Sequence, residues 1–420
     1  MNCKGDFLLF KKGVGLDARL MRQRLAPALT MFLSGGFLAL AAGAQTWTKS
    51  DALNFYWTGI AASADGMKMV ACPLYGTNSP SFPGPICLST NGGTNWMINT
   101  ATTNSWYGVC SSTNGVKLSA IVENGNPNNN TNLYTSTNSG ATWQPQAMPM
   151  SPRAIACSGD GSRLLVAGAT SNRVDVVYTS PDQGATWISN SIPTNEFWYA
   201  VASSLNGSNL IAAANGDYTD TNPGVIYTST NGGNLWVSNS LPQAFWNTVA
   251  SSGDGSELLA GARASTVYLS TNGGKNWTSA ELFGFFTGSA ISGDGTWMLA
   301  AANDYIYSSY DSGGTWGSNN APSQAWELVA AALDGTRAAA ISSGGIYYVA
   351  SASAPTITPK GTNALLTWPW PSTGFGLQMN TNLATANWTA LTNIPLVTNW
   401  QNQVTLPHTN SAAYFRLTGP

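Results

Sequence analysis

Apolar residues in this chain fall in short runs between tight turns. Leu164-Leu-Val-Ala-Gly168 and Leu258-Leu-Ala-Gly261 are two such runs, and each follows an Asx-Gly pair. Asx-Gly between two apolar runs is a strong hairpin signal. It occurs seven times, at Asp65-Gly66, Asn114-Gly115, Asp160-Gly161, Asn206-Gly207, Asp254-Gly255, Asp294-Gly295 and Asp334-Gly335. Each turn is preceded by a small-residue run that opens on an aromatic. That aromatic stands eight residues before the Asx, as Trp57, Trp106, Trp198, Trp246, Phe286 and Trp326, with Pro152 and then Arg153 at the third repeat.

A second motif runs in step with the first. It reads S-x-[DN]-x-G-x-x-W and occurs six times, from Ser89 to Trp96, Ser136 to Trp143, Ser180 to Trp187, Ser229 to Trp236, Ser270 to Trp277 and Ser309 to Trp316. Its spacing, Trp to Trp, is 47, 44, 49, 41 and 39 residues, the period of a stacked supersecondary unit. Asp or Asn at the third position can bond its own downstream backbone and nucleate a turn. The glycine two residues later takes a positive φ, and the tryptophan opens the next strand. A short strand with Tyr precedes the motif, as in Val177-Tyr178, Ile226-Tyr227, Val267-Tyr268 and Ile306-Tyr307.

Seven hairpins against six box turns leave one outer strand missing. Trp47 sits before the first aromatic strand as Trp187 and Trp236 sit before theirs, so the N-terminal strand is expected to complete the last unit, beside Ile346-Tyr347-Tyr348. That closes a ring and removes the exposed sheet edges. The predicted fold is all-β: a seven-bladed β-propeller over residues 45–353, a linker at 354–359, and a small C-terminal β-sandwich-like module at 360–420.

The repeats resemble BNR/Asp-box repeats, found in sialidases, sortilin-type receptors, xyloglucan-cleaving hydrolases and Ycf48-like photosystem assembly factors. The unit W-x-x-[VI] … D-G … [VI]-Y-x-S-T-N-G-G-x-x-W is most similar to the Ycf48-like pattern. The box carboxylate is Asn at 91, 138, 231 and 272 and Asp at 182 and 311. The resemblance implies that these residues are scaffold, on the face opposite the binding or active site. The C-terminal stretch resembles short accessory modules of exported bacterial proteins.

Composition narrows the function. Charged residues are 9% and aromatics 11% of 420 residues, with 44 Gly and 17 Trp, a turn-rich β profile. The N-terminus reads as a signal peptide over 1–44: Arg22 and Arg24, an apolar stretch from Leu25 to Leu40, and Ala42-Gly43-Ala44 before the cleavage point, with Met21 as a possible start. The mature chain then carries a net charge of −6 with no basic run and no spanning segment. Nucleic acid and anionic membrane are therefore unsuitable partners. Secreted, periplasmic or cell-surface location, a monomeric state and a protein or glycan ligand are the expectations. Cys72, Cys87, Cys110 and Cys157 remain after cleavage. Cys72 with Cys87 is the better disulfide pair from sequence, with four buried thiols as the equal alternative.

What departs from the repeat is where recognition is expected. Long loops run from Tyr75 to Pro85, Glu123 to Asn132 and Asn215 to Gly224, all on the face away from the turns. The six aromatics can either ring the channel mouth and stack on a ligand or pack between blades. Arg153 breaks the pattern and is a candidate for an anion, joined by Arg163, Arg173 and Arg263. Asp217 and Asp220 are weak candidates for Ca²⁺; no other metal and no cofactor is expected. The chain's single His, His408, lies in the tail, so His-based triads and metal sites are excluded from the propeller. A non-catalytic binding or assembly propeller is the first reading. The alternative is a glycoside hydrolase using two of the non-repeated acids Asp175, Glu196, Asp217, Asp220, Asp304 and Glu327.

Overall fold

The computed structural model describes residues 47–75, 83–122, 131–194, 196–216, 222–263, 266–319, 321–350, 356–360, 363–369, 376–380, 387, 389–391, 396–398, 401–407 and 414–418. The expected signal peptide, most of the three long loops, Asp217, Asp220 and His408 lie outside them. Among the described residues there is no helix.

Seven four-stranded antiparallel sheets form the propeller. Blade 1 runs through Tyr56–Ala62, Met69–Tyr75, Gly84–Ser89 and Met97–Asn104, from the innermost strand outward. Blades 2 to 6 repeat this meander. Blade 7 takes three strands from the end of the repeat, Trp326–Ala331, Arg337–Ser342 and Gly345–Ala350, and its fourth from Thr48–Lys49. Thr48 pairs with Tyr348 and Lys49 with Tyr347, so the N-terminal strand fastens the ring. Asp51 extends the fastening: its carboxylate accepts from the Trp96 amide at 2.9 Å and the Asn95 side chain at 2.8 Å in blade 1.

The box turns owe their shape to two side chains. In all six, the Ser hydroxyl accepts from the amide of the box glycine at 2.8–3.0 Å and donates to the Asx carboxyl or amide oxygen. That same oxygen accepts the amide four residues on at 2.8–3.0 Å. Asn does this as well as Asp, which is why the substitution leaves the turn intact. The residue before the box glycine also has positive φ. Blades 1, 4 and 5 use Gly there, but Ser139, Gln183 and Ser312 accept the strain at φ 57°.

Each box turn is tied to the Asx-Gly turn of its own blade by a backbone hydrogen bond of 2.6–3.0 Å, as from Gly92 to Met67 and Gly232 to Ser208. Both sets of turns therefore share one face. On that face the residue before each Asx donates its amide to the equivalent carbonyl of the next blade: Ala64 to Thr113, then Gly159, Leu205, Gly253, Gly293 and Leu333, at 2.6–2.9 Å. Asp334 completes the circle by donating to Ala64 at 3.2 Å. A seven-membered belt of main-chain hydrogen bonds thus encircles the axis. Glycine suits Gly253, because a Cβ there would come within 2.9 Å of the Gly293 carbonyl.

The core lies between blades. Trp106 packs on Val70, Cys72 and Ile86 of blade 1, and Trp198 on Leu165, Ala167 and Val177 of blade 3. Trp246, Phe286, Trp326 and Trp57 do the same against blades 4, 5, 6 and 7. Each Trp from blades 2, 4, 5 and 7 also meets the third-strand Tyr of its own blade edge-on, at 5.2–5.7 Å between ring centroids. Between blades 2 and 3, where Pro152 replaces the aromatic, Met148 and Met150 are buried instead.

The tail departs from the sequence expectation in its boundary. Thr356–Lys360, which overlaps the predicted linker, is already a strand, paired with Asn363–Pro369. That strand joins Gln401–Pro407 and Leu396–Thr398 in a four-stranded sheet; Thr389–Ala390, Gly376–Asn380 and Tyr414–Thr418 form a three-stranded one. The chain divides into two compact units, one of residues 41–373 and 393–408, the other including 374–392 and 409–420.

The four described cysteines are thiols. A Cys72–Cys87 bond, one of the two readings the sequence left open, is precluded by register. Cys87 stands opposite Ala71, so Cys72, one residue on, projects from the other side of the sheet. Cys72 accordingly packs toward blade 2 and Cys87 toward blade 7. Burial pushes the Cys87 thiol up to about 12 and Cys72 higher still.

Candidate functional site

With the turns gathered on one face, the aromatic ends of the innermost strands and the loops between second and third strands lie on the other. All six sequence-predicted aromatics are 3% exposed or less, so none presents a face to a ligand. Of the two readings the sequence left open, stacking at the mouth and packing between blades, their burial fits packing: they are the inter-blade core.

The residue after each aromatic behaves differently. In every blade the ladder between innermost and second strands skips a residue there: Thr58, Tyr107, Arg153, Tyr199, Asn247, Thr287 and Glu327. A bulge inserts an extra residue and re-aims its side chain. Seven bulges in register give seven positions around the axial mouth, and only Thr and Tyr recur among them.

Three of these positions are structural. Thr58 donates to the Trp106 carbonyl at 2.8 Å, Asn247 to Phe286 at 3.0 Å and Thr287 to Trp326 at 2.7 Å, each bridging to the next blade. The other four carry charge or an aromatic ring. Arg153 forms an ion pair with Asp175, which is almost wholly buried, and its guanidinium lies 4.1 Å from the Phe197 ring centroid. Phe197 in turn stacks on Tyr199, centroids 6.1 Å apart at 29°. The Arg263 guanidinium lies 5.1 Å from the Phe285 centroid.

Tyr199 gathers the mouth electrostatically. Partial desolvation raises its pKa, and Glu327 and Tyr56 push it further up while Arg263 pulls it down. Those groups come from blades 7, 1 and 5, and the mouth of the axis is where such distant blades meet. Burial also raises the Glu327 carboxyl above the usual range. The site thus combines aromatic faces, two guanidiniums and one carboxyl that resists ionisation.

Of the other arginines, Arg163 does not join Arg153. It follows the Asp160-Gly161 turn, and its side chain lies beside Gly207 and Gly232 on the turn face. Arg173 lies in the turn between the second and third strands of blade 3, at φ 59°. The box residues Asn91, Asn138, Asp182, Asn231, Asn272 and Asp311 lie on the turn face as scaffold. Hydrogen bonds from Thr186 and Ser180 hold the Asp182 carboxyl below its ordinary range, and those from Thr315 and Ser309 do so for Asp311. Among the described residues no group of three or more His, Cys, Asp or Glu side chains is placed to hold a metal. No helix among them is long and apolar enough to cross a membrane.

The sequence matches no protein-family profile and no curated protein. Solved structures are similar in fold. Ycf48 bound to a D1 peptide superimposes with a TM-score of 0.52 at 15% identity, covering 74% of this chain and 98% of that one. YCF48 from Cyanidioschyzon merolae gives 0.53 at 14% identity, over 74% and 99% of the two chains. The β-propeller domain of Myceliophteria thermophila Cps50 (Swd1) gives 0.55 at 10%, over 73% and 99%. At these identities the likeness extends to the architecture alone: the chain has the fold of a seven-bladed β-propeller.

Proposed function

We propose that this chain is an exported, monomeric, non-catalytic binding propeller that holds an extended protein segment at its axial mouth. The observation that carries this reading is the ring of bulges. Identical scaffolds deliver different side chains to one place, whereas the opposite end is a belt of main chain. Aromatic faces beside guanidiniums suit peptide backbone and side chains together. A Ycf48 of similar fold has been solved with a D1 peptide, which supports peptide as the ligand class.

The test is fluorescence anisotropy of labelled extended peptides against the full chain, beside a glycan array. Tyr199→Ala and Arg263→Ala should each weaken a bound peptide about tenfold or more. Asn231→Ala, on the turn face, should leave affinity unchanged. Peptide binding that ignores the mouth variants refutes the site; binding of glycans alone refutes the ligand class.

One observation favours a second reading, glycoside hydrolysis. Glu327 is a carboxyl whose pKa is raised by burial, the property a general acid needs. Its counterpart would have to be a carboxylate about 5–10 Å away. Asp175, the non-repeated acid beside the bulge ring, is held by Arg153. Cleavage within a glycan panel that disappears in Glu327→Gln would replace the binding reading.

A further inference from the structure

The innermost strands of blades 2 and 3 each carry one cysteine, and the two meet across the seam. Cys110 stands opposite Ser119 in the ladder of blade 2, and Cys157 opposite Leu164 in that of blade 3. Both pack in the single apolar cluster that fills this seam, with Ile121, Met150 and Leu164. Cys157 is near enough to Cys110 to act on its ionisation. They therefore differ from Cys72 and Cys87, which point away from each other on opposite sides of one sheet.

We propose that Cys110 and Cys157 form an oxidisable pair whose disulfide staples blade 2 to blade 3. The oxidant is a small-molecule disulfide such as oxidised glutathione. Cys157, the more exposed of the two, loses its proton to solvent, and its thiolate attacks one sulfur of that disulfide. The S–S bond of the oxidant breaks, the first glutathione leaves as thiolate, and a mixed disulfide remains on Cys157. Cys110, deprotonated in turn, attacks Sγ of Cys157 and expels the second glutathione. Two protein thiols are oxidised and one glutathione disulfide is reduced to two thiols, so the two electrons balance. Burial, with the neighbouring Cys157, raises the Cys110 thiol well above its ordinary range, so the second step should quicken as pH rises.

The product would close a loop from residue 110 to residue 157, joining strands already in place. A loop of that length constrains the unfolded chain strongly. In an oxidising compartment the bond would form; under cytosolic thiol it would open.

The experiment treats the full chain with oxidised glutathione at pH 8, alkylates the remaining thiols and maps the peptides. The expected product is a Cys110–Cys157 crosslink with Cys72 and Cys87 reactive only after unfolding. The oxidised protein should melt several degrees above the reduced one, a shift absent from Cys110→Ser and Cys157→Ser. A Cys72–Cys87 crosslink, a glutathione adduct that persists on Cys157, or four alkylated thiols would each overturn the proposal. The peptide map uses the unmodified chain, so a variant that fails to fold does not blunt it.

Discussion

Asp334 reaches Ala64 across the seam between the last blade and the first, its amide 3.2 Å from the Ala64 carbonyl. This is the one link in the belt made by an Asx rather than by the residue before it. Its side chain is also exceptional. In the other six blades a Ser hydroxyl two residues upstream donates to the Asx at 2.5–2.8 Å. Blade 7 has Ala332 there, and Asp334 Oδ2 is buried without a hydrogen-bond partner. Burial first, and the Asp65 carboxylate after it, push Asp334 up to about 6, against the opposing pull of Thr336 and Arg337.

A folded pKa above the unfolded value means that this group favours folding fully below about pH 4 and loses that contribution as pH rises through about 6. Wild type should therefore lose stability relative to Asp334→Asn between pH 4 and 7, by about 1–3 kcal/mol. Ala332→Ser, supplying the missing hydroxyl, should gain about 1 kcal/mol at pH 7. Thermal unfolding followed by circular dichroism across this range decides both; parallel profiles for wild type and Asp334→Asn would refute the account.

Trp198 and Tyr199 are neighbours with opposite fates, one wholly buried between blades and the other 38% exposed at the mouth. Trp198→Ala should cost about 3–5 kcal/mol in urea unfolding. Tyr199→Ala should cost less than about 1 kcal/mol while removing ligand binding. Equal losses of stability would contradict the assignment of core and mouth.

Arg153 and Asp175 form a nearly buried ion pair. Arg153→Ala leaves the carboxylate buried beside no guanidinium and should destabilise by about 3 kcal/mol at pH 7. The double variant Arg153→Ala with Asp175→Ala should recover part of that loss, because the buried carboxylate is gone. A double-mutant cycle with no coupling would show that the pair contributes nothing.

Ser312 holds φ at 57° where three other boxes have glycine. Ser312→Gly should relieve that strain and raise stability by about 0.5–1 kcal/mol, visible as a higher urea midpoint at unchanged slope. A lower midpoint would mean that the hydroxyl or the reduced freedom of the unfolded chain outweighs the strain.

The scaffold was legible because it is written in local rules applied seven times. Asx-Gly pairs mark the innermost hairpin of every blade, and the lone Trp47 marks the strand that closes the ring. The site was legible in part: Arg153 stands out where Pro152 interrupts the aromatics, and Arg263 and Glu327 stand out as charges that break the repeat, whereas Tyr199 carries no such signal. The aromatics left two readings open, stacking at the mouth or packing between blades, and only their burial decides between them. Side chains alternate along a strand, so burial of Trp198 already implies that Tyr199 looks elsewhere. The signal was the variable residue after each constant one: Tyr107, Arg153, Tyr199 and Glu327 differ where the frame does not. The cysteine pairing was hidden for a different reason. Sequence shows which strands are neighbours within a blade, but the facing of Cys110 and Cys157 arises between blades, where no short-range pattern reports.

Because Thr48–Lys49 pairs with the strand Gly345–Ala350, the propeller strand synthesised first is the last to find its place. Until the seventh sheet exists, two unpaired borders stay open, each able to recruit another molecule's strand. Assembly is therefore all-or-nothing at its final step, and a chain cut short anywhere before residue 345 should remain a sticky, unlatched arc.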